Sequence, residues 1–157
     1  LRQAGRRVEL VVMGDGPLRG ELEATATRLG LDGAVEFTGR LDRAQLNHRF
    51  READLAVQPS TSEAFAKAWL DALANGVPVV ATNAGGMAEL FLAANGVGWV
   101  VPPSDDDALA DAITAALDGV EDWSELRSRC RATVEGHTLE AWAGRFAAHS
   151  RSGWGAS

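Results

Sequence analysis

The feature that most constrains this chain is an alternation. Short apolar bursts, each closed by a glycine or proline or passing into a turn, are separated by single stretches of helical periodicity. The first burst, residues 8–13, is rich in β-branched residues and stops at Gly14, which reads as a buried strand. Leu18, Leu22, Ala26 and Leu29 then recur at three- and four-residue steps, the spacing of one helix face, with Gly30 as the C-terminal stop. Further strands are expected at 34–37, 55–58, 78–82 and 98–101. Between them fall a helix opened by Asp42 and Gln45 in a capping-box pattern, one across 64–75 that ends at Gly76, and a short one over 87–94. Ser104, with Asp107 three positions on, is expected to cap a helix running to about Leu117. Past Gly119 the strand signal ends, and 123–134 and 139–150 read as closing helices.

Strands separated by single helices specify parallel pairing through right-handed crossovers, and near-continuous apolar strands suit a sheet covered on both faces. The expected fold is therefore α/β, a doubly wound, Rossmann-like parallel sheet. Its expected organisation is one domain over residues 1–120, closing helices of the same domain over 121–150 and a Ser/Gly tail over 151–157. The chain has 157 residues, enough for one ordinary core and not for two. No internal repeat or interior linker interrupts it.

The totals exclude several functions. A net charge of −7 makes nucleic acid a poor partner, because phosphate binding wants a basic face. Cys130 is the sole cysteine and His48, His137 and His149 the only histidines, so no metal-ligand spacing exists and no metal or cofactor is expected. Arg127, Arg129 and Arg131 flank Cys130 and could lower its pKa, but a structural cysteine on a helix is the favoured reading. No apolar run approaches the ~20 residues of a membrane span, so no transmembrane segment is expected. The first residue is Leu1 and not methionine, so targeting is not read from it.

In such sheets ligands bind beyond the carboxyl ends of the strands. Gly14-Asp15-Gly16-Pro17 follows the first strand and leads into a helix, where glycines let backbone approach a phosphate and free N–H groups meet it. Alone, this motif is more often a simple turn. The loop Pro59-Ser60-Thr61-Ser62-Glu63-Ala64-Phe65-Ala66 follows the third strand. Asp71, eight residues after Glu63, lies a little over two helical turns along and points from roughly the same side. It interrupts an apolar stretch, so it should face solvent, a partner or a ligand, since burial without a partner is costly. Glu63 by itself could be no more than a favourable charge at a helix N-terminus. Asn83-Ala84-Gly85-Gly86, then Glu89, follow the fourth strand as a second backbone-rich anion site. Three such loops on one sheet edge describe a cleft for a phosphorylated ligand.

Together these motifs resemble the C-terminal domain of retaining nucleotide-diphosphate-sugar glycosyltransferases, the group-one or family-four type. The ordered set is Gly14-Asp15-Gly16-Pro17, Val35-Glu36-Phe37-Thr38-Gly39, Ala53-Asp54-Leu55-Ala56-Val57-Gln58-Pro59-Ser60, Glu63 with Asp71, Gly76-Val77-Pro78-Val79-Val80-Ala81-Thr82, and Gly85-Gly86 with Glu89. The resemblance implies the C-terminal lobe of a two-lobed GT-B enzyme that holds a nucleotide-sugar donor and transfers its sugar with retention. It implies Glu63 against hydroxyls of the transferred sugar and Asp71 against the ribose diol. Backbone around Phe65 and Ala66 would face the diphosphate or sugar, and Gly39, Arg40 and Leu41 the nucleobase. Gly14, Gly16, Ser60, Gly85 and Gly86 complete the donor-binding set. Such enzymes generally manage without a bound metal, and a cytoplasmic or membrane-peripheral location is implied.

The sequence departs from the family pattern at several points. The family usually has Glu where Asp71 stands and glycine at Ala64 and often at Ala66. Nothing in residues 1–7 matches its opening strand and the following Arg- and Lys-bearing loop that grips the diphosphate. In the 3-2-1-4-5-6 order that opening strand is central. Strands 8–13 and 55–58 are then expected either to pair directly or to leave a gap with unpaired backbone. The acceptor-binding N-terminal lobe is also absent, so little transferase activity is expected of this fragment alone. Two other functions remain open: a nucleotide-sugar epimerase, which shares the two-lobed architecture, and a non-catalytic domain that binds nucleotide sugar or a protein partner. The final helix, 139–150, either crosses to the other lobe or packs on its own sheet.

Overall fold

A computed structural model describes residues 7–62, 67–84 and 88–135. Its elements follow in the order β1 (Leu10–Met13), α1 (Arg19–Arg28), β2 (Val35–Gly39), α2 (Arg43–Glu52), β3 (Ala56–Gln58), α3 (Lys67–Ala74) and β4 (Val79–Thr82). A π-helical turn (Glu89–Ala93), β5 (Gly98–Val101), α4 (Asp106–Gly119) and α5 (Trp123–Glu135) complete them. All strand pairs are parallel, as the alternation of strands with single helices requires. The expected helix 139–150 and tail 151–157 lie outside the described residues. The chain divides into two compact units, Leu1–Arg49 and Phe50–Ser157.

In the first unit β1 pairs with β2, Leu10 opposite Val35 through Met13 opposite Gly39, with an irregularity between Val12 and Met13. Asp42 and Gln45 close the capping box that opens α2. The Gln45 N–H donates to Asp42 Oδ1 at 2.8 Å and the Asp42 N–H to Gln45 Oε1 at 3.0 Å. Gly30, at φ +66°, ends α1 as its position suggests.

One expectation for this unit is corrected. The strand expected to be buried leaves Leu10 52% and Val11 36% exposed. The apolar stripe of α1 buries no residue, and Leu18, Leu22 and Leu29 are exposed. Periodicity located the stripe, but burial requires an apolar surface opposite it, and a two-stranded sheet is a minimal one.

In the second unit β4 lies between β3 and β5, Ala56 opposite Val79 and Val79 opposite Gly98. A central parallel strand is covered on both faces, and every residue of β4 is buried. The described strands form two sheets, β1–β2 in the first unit and β3–β4–β5 in the second.

The core of this unit gathers Leu73, Val77, Val79, Val80, Leu92, Val97 and Cys130, all fully buried. Burying a Leu or Val side chain stabilises by ~1.5–3 kcal/mol. Helix α3 presents Trp69, Ala72 and Leu73 to this core at i, i+3 and i+4 and packs on α5, β3 and β4.

Helix α5 also ties down three chain turns. Arg127 donates to the Ala53 carbonyl at 3.1 Å and to Asp54, Arg129 donates to the Gly96 carbonyl at 3.3 Å, and Arg131 lies beside Gly76. Burial pushes the Cys130 thiol up to about 11 despite Arg131, Arg127 and Arg129, which pull it down. It is a protonated core side chain, as the structural reading of Cys130 holds.

Two local details differ from expectation. Helix α4 is capped by Asp105, whose Oδ1 accepts from the Ala108 N–H at 2.9 Å, while Ser104 adopts φ +60° just outside. Two adjacent residues each had a cap-forming side chain, and the chain uses the later one. The short helix expected over 87–94 is a π-helical turn from Glu89.

Candidate functional site

The sequence places its candidate residues on loops at the carboxyl ends of strands, and the structure describes part of that set in each unit. Glu63, Phe65, Ala66, Gly85 and Gly86 lie outside the described residues.

In the first unit the chain leaves β1 through Gly14 at φ +127°, a conformation open to glycine and strained for other residues. The Gly14 N–H donates to the Gly39 carbonyl at 2.9 Å, so two candidate glycines that are distant in sequence meet at one sheet end. Gly39 is itself at φ +70° and buried. A Cβ built at Gly14 or Gly16 would meet nothing within 4 Å, so the space in front of this turn is open. Open space before a glycine turn permits backbone approach to a phosphate. Arg40 is exposed and Leu41 half-buried in the segment that follows Gly39.

Sequence reasoning passed over Arg19. Its Nη2 donates to the Phe37 carbonyl at 3.0 Å, its Nε pairs with Glu23 at 2.7 Å, and its Nη1 lies 4.0 Å from Asp15. A Cβ at Gly39 would stand 3.1 Å from Arg19 Nη1. One guanidinium therefore braces the Gly14–Gly16 turn and the end of β2 together. The available signal was a base four residues after Asp15, the spacing of neighbours on a helix face.

In the second unit Ser60 follows β3. Gln58 Nε2 donates to the Ser60 hydroxyl at 3.0 Å, and the Thr82 hydroxyl donates to the Ser60 carbonyl. A cavity of about 320 Å³ opens at the carboxyl ends of β3, β4 and β5, lined by Pro59, Thr61, Thr82, Ser104, Asp105 and Asp106 with Leu109. Its hydroxyls and carboxylates are of the kind that hydrogen-bond a hydroxylated ligand. Asn83 Oδ1, at the end of β4, is buried without a partner among the described residues. A buried acceptor left open is uncommon, and a ligand or water would satisfy it.

Asp71 sits half-buried on α3, with its carbonyl accepting from the Asn75 side chain at 2.8 Å. Trp69, Ala72 and Leu73 define the core face of that helix. At 100° per residue Asp71 falls roughly opposite that face, on the same side as Lys67. The carboxylate avoids the core, as an acid in an apolar stretch must.

The profile of the family "Glycosyl transferases group 1" matches residues 1–135. The chain is 36% identical over 124 residues to a D-inositol 3-phosphate glycosyltransferase of Catenulispora acidiphila, covering 74% of this chain and 29% of that protein. It is 33% identical over 135 residues to a GDP-mannose-dependent phosphatidylinositol dimannoside mannosyltransferase of Mycobacterium tuberculosis, covering 85% of this chain and 34% of that protein. Among solved structures, Anabaena HepE in complex with UDP superposes with a TM-score of 0.79 at 27% identity, covering 92% of this chain and 41% of that one. A glycosyltransferase from Rickettsia africae shares the fold with a TM-score of 0.83 at 21% identity, over 99% of this chain and 42% of that one.

Parallel α/β sheets with glycine turns at strand ends serve many functions, and it is the family match that assigns the class, a glycosyltransferase. The chain belongs to the family of glycosyl transferases group 1. It spans about a third or less of the length of the curated relatives named above. Among the described residues no helix is long and apolar enough to cross a membrane.

Proposed function

We propose that this chain is the donor-binding lobe of a retaining glycosyltransferase. The carrying observation is the family match across residues 1–135, a span that contains the candidate loops. The solved relative HepE is recorded with UDP and with UDP-glucose, and a curated relative is named as GDP-mannose-dependent. The donor class is accordingly a nucleoside-diphosphate sugar.

In this reading the Gly14–Gly16 and Gly85–Gly86 turns and the backbone of Phe65 and Ala66 offer N–H groups to the diphosphate. Gly39, Arg40 and Leu41 lie along the base, Ser60 supports the donor loop, and Asp71 accepts from the ribose diol. Glu63 accepts from hydroxyls of the transferred sugar. The bond between C1 and the diphosphate oxygen breaks, an acceptor oxygen bonds to the same face of C1, and the acceptor proton leaves with the diphosphate. Negative charge grows on the departing diphosphate, where fixed N–H dipoles stabilise it without a metal. Acceptor recognition falls to residues outside this chain, so the chain by itself transfers little sugar.

The test is Glu63→Ala in the full-length protein. Turnover should fall at least a hundredfold while the melting temperature moves little, since one positioned group in such a site contributes about 10²–10³. Full activity in a destabilised variant would refute the assignment. Sugar epimerised in the absence of acceptor would instead identify an epimerase. Failure of the full-length protein to bind UDP or GDP by calorimetry would leave only the protein-partner reading.

A further inference from the structure

We infer that Thr82 is a positioning residue for the donor loop, acting through Ser60, an inference that rests on the donor-binding reading above. Strands β3 and β4 are in register from Ala56 opposite Val79 to Gln58 opposite Ala81, and there the β3 ladder ends. Strand β4 continues one residue further, Thr82 opposite Val101 on β5. Its hydroxyl then reaches across to the Ser60 carbonyl, a side-chain bond beyond the last ladder pair. Thr82 is 5% exposed, the buried polar side chain of the core among the described residues.

Core positions on a central parallel strand favour Val or Ile. A threonine there is accounted for by its one directed bond. Gln58 holds the same residue from the other side through the Ser60 hydroxyl. Ser60 thus has both its carbonyl and its hydroxyl engaged, and the loop that turns toward the ~320 Å³ cavity at Thr61 leaves the sheet in a fixed direction. Without the Thr82 bond Ser60 and Thr61 sample other conformations. Donor binding must then select the competent one, and apparent affinity falls by its population. At saturating donor Ser60 and Thr61 are held again and the chemical step is unchanged. The signature is a raised KM with kcat retained.

The experiment measures release of nucleoside diphosphate by the full-length protein, using whichever of UDP-glucose and GDP-mannose the wild type turns over faster. Thr82→Val keeps the branched shape and removes the donor. The donor KM should rise about fivefold or more, the effect of one neutral hydrogen bond, with kcat within twofold. Thr82→Ser should restore the KM, which a purely volumetric role would not allow. An unchanged KM in Thr82→Val, or no rescue by serine, overturns the inference. Should Thr82→Val not fold, Gln58→Leu decides: it releases the Ser60 hydroxyl and should raise KM in the same manner, and an unchanged KM again overturns the idea. Glu63→Ala in parallel tests the underlying reading. Activity lost there but unaffected in the Thr82 and Gln58 variants sinks only the positioning role. Activity retained there, or no turnover of either donor by the wild type, removes the donor site itself.

Discussion

The Val79 carbonyl oxygen faces Gly98 across the β4–β5 pair so closely that a Cβ at Gly98 would lie 2.3 Å from it and 3.1 Å from Leu92 Cβ. Both neighbours belong to the buried centre of the second unit, and the nearer one is backbone. Neither can swing aside as an exposed side chain would. Gly98→Ala should therefore destabilise by about 1–3 kcal/mol or more, the effect of overpacking a close-packed core. Urea unfolding reads this as a lower midpoint at constant slope. An unchanged midpoint would mean that β4 and β5 are spaced more widely.

Gly20 provides the opposite sign. It lies in α1, and a Cβ there would meet nothing within 4 Å. Gly20→Ala should stabilise by a few tenths of a kcal/mol, less than the roughly 0.5–1 kcal/mol of a helix interior because Gly20 lies in the first turn. The same unfolding measurement checks it, and a destabilised variant would contradict the open surroundings.

Asp42 and Gln45 each satisfy a backbone donor of the other at the start of α2. Loss of an N-cap side chain typically costs ~1 kcal/mol. Asp42→Ala should lose about that much, while Asp42→Asn, which keeps an acceptor, should lose only a few tenths. Equal losses in the two variants would make the interaction one of charge and not of capping geometry.

Cys130 links stability to alkaline pH. Its thiol is raised from an ordinary value near 9 to about 11 by burial, with Arg131, Arg127 and Arg129 offsetting part of the shift. The folded chain holds the proton more tightly than the unfolded chain does. The contribution is therefore complete below pH 9 and lost as pH rises from about 9 to 11. The stability advantage of wild type over Cys130→Ala should narrow across that window by on the order of 1–3 kcal/mol. Below it, the native thiol should resist alkylation until the fold opens. A constant advantage across the window would show that the thiol titrates normally.

What the sequence made legible divides by range. The Asp42–Gln45 box and the glycine stop at Gly30 depend on neighbours a few residues away, so residue type and spacing suffice. The parallel order followed from connection rules of the same local kind. Arg19 bracing Phe37 and Thr82 holding Ser60 span 18 and 22 residues, and nothing in either local pattern marks them. The strand at 8–13 was located correctly and read wrongly as buried, because burial belongs to whatever lies opposite. The Ser104 and Asp105 caps differ by one residue, and side-chain chemistry permits both.

Asp71 offers the sharpest test of the donor reading within the described residues. It lies on the side of α3 away from Trp69, Ala72 and Leu73, so its truncation creates no core cavity. Folding stability in Asp71→Ala should consequently fall by less than the ~2–5 kcal/mol that truncating a core side chain costs. A carboxylate accepting from the ribose diol contributes about 1.5–3 kcal/mol, since hydrogen bonds to charged groups are the stronger kind. The dissociation constant for UDP or GDP should then rise at least tenfold in the full-length protein, by calorimetry. Asp71→Glu lengthens the side chain by one methylene, toward the residue the family usually carries, and should bind within a few-fold of wild type or tighter. Unchanged affinity in Asp71→Ala would remove the ribose role, and affinity lost together with stability would make Asp71 a structural residue of α3.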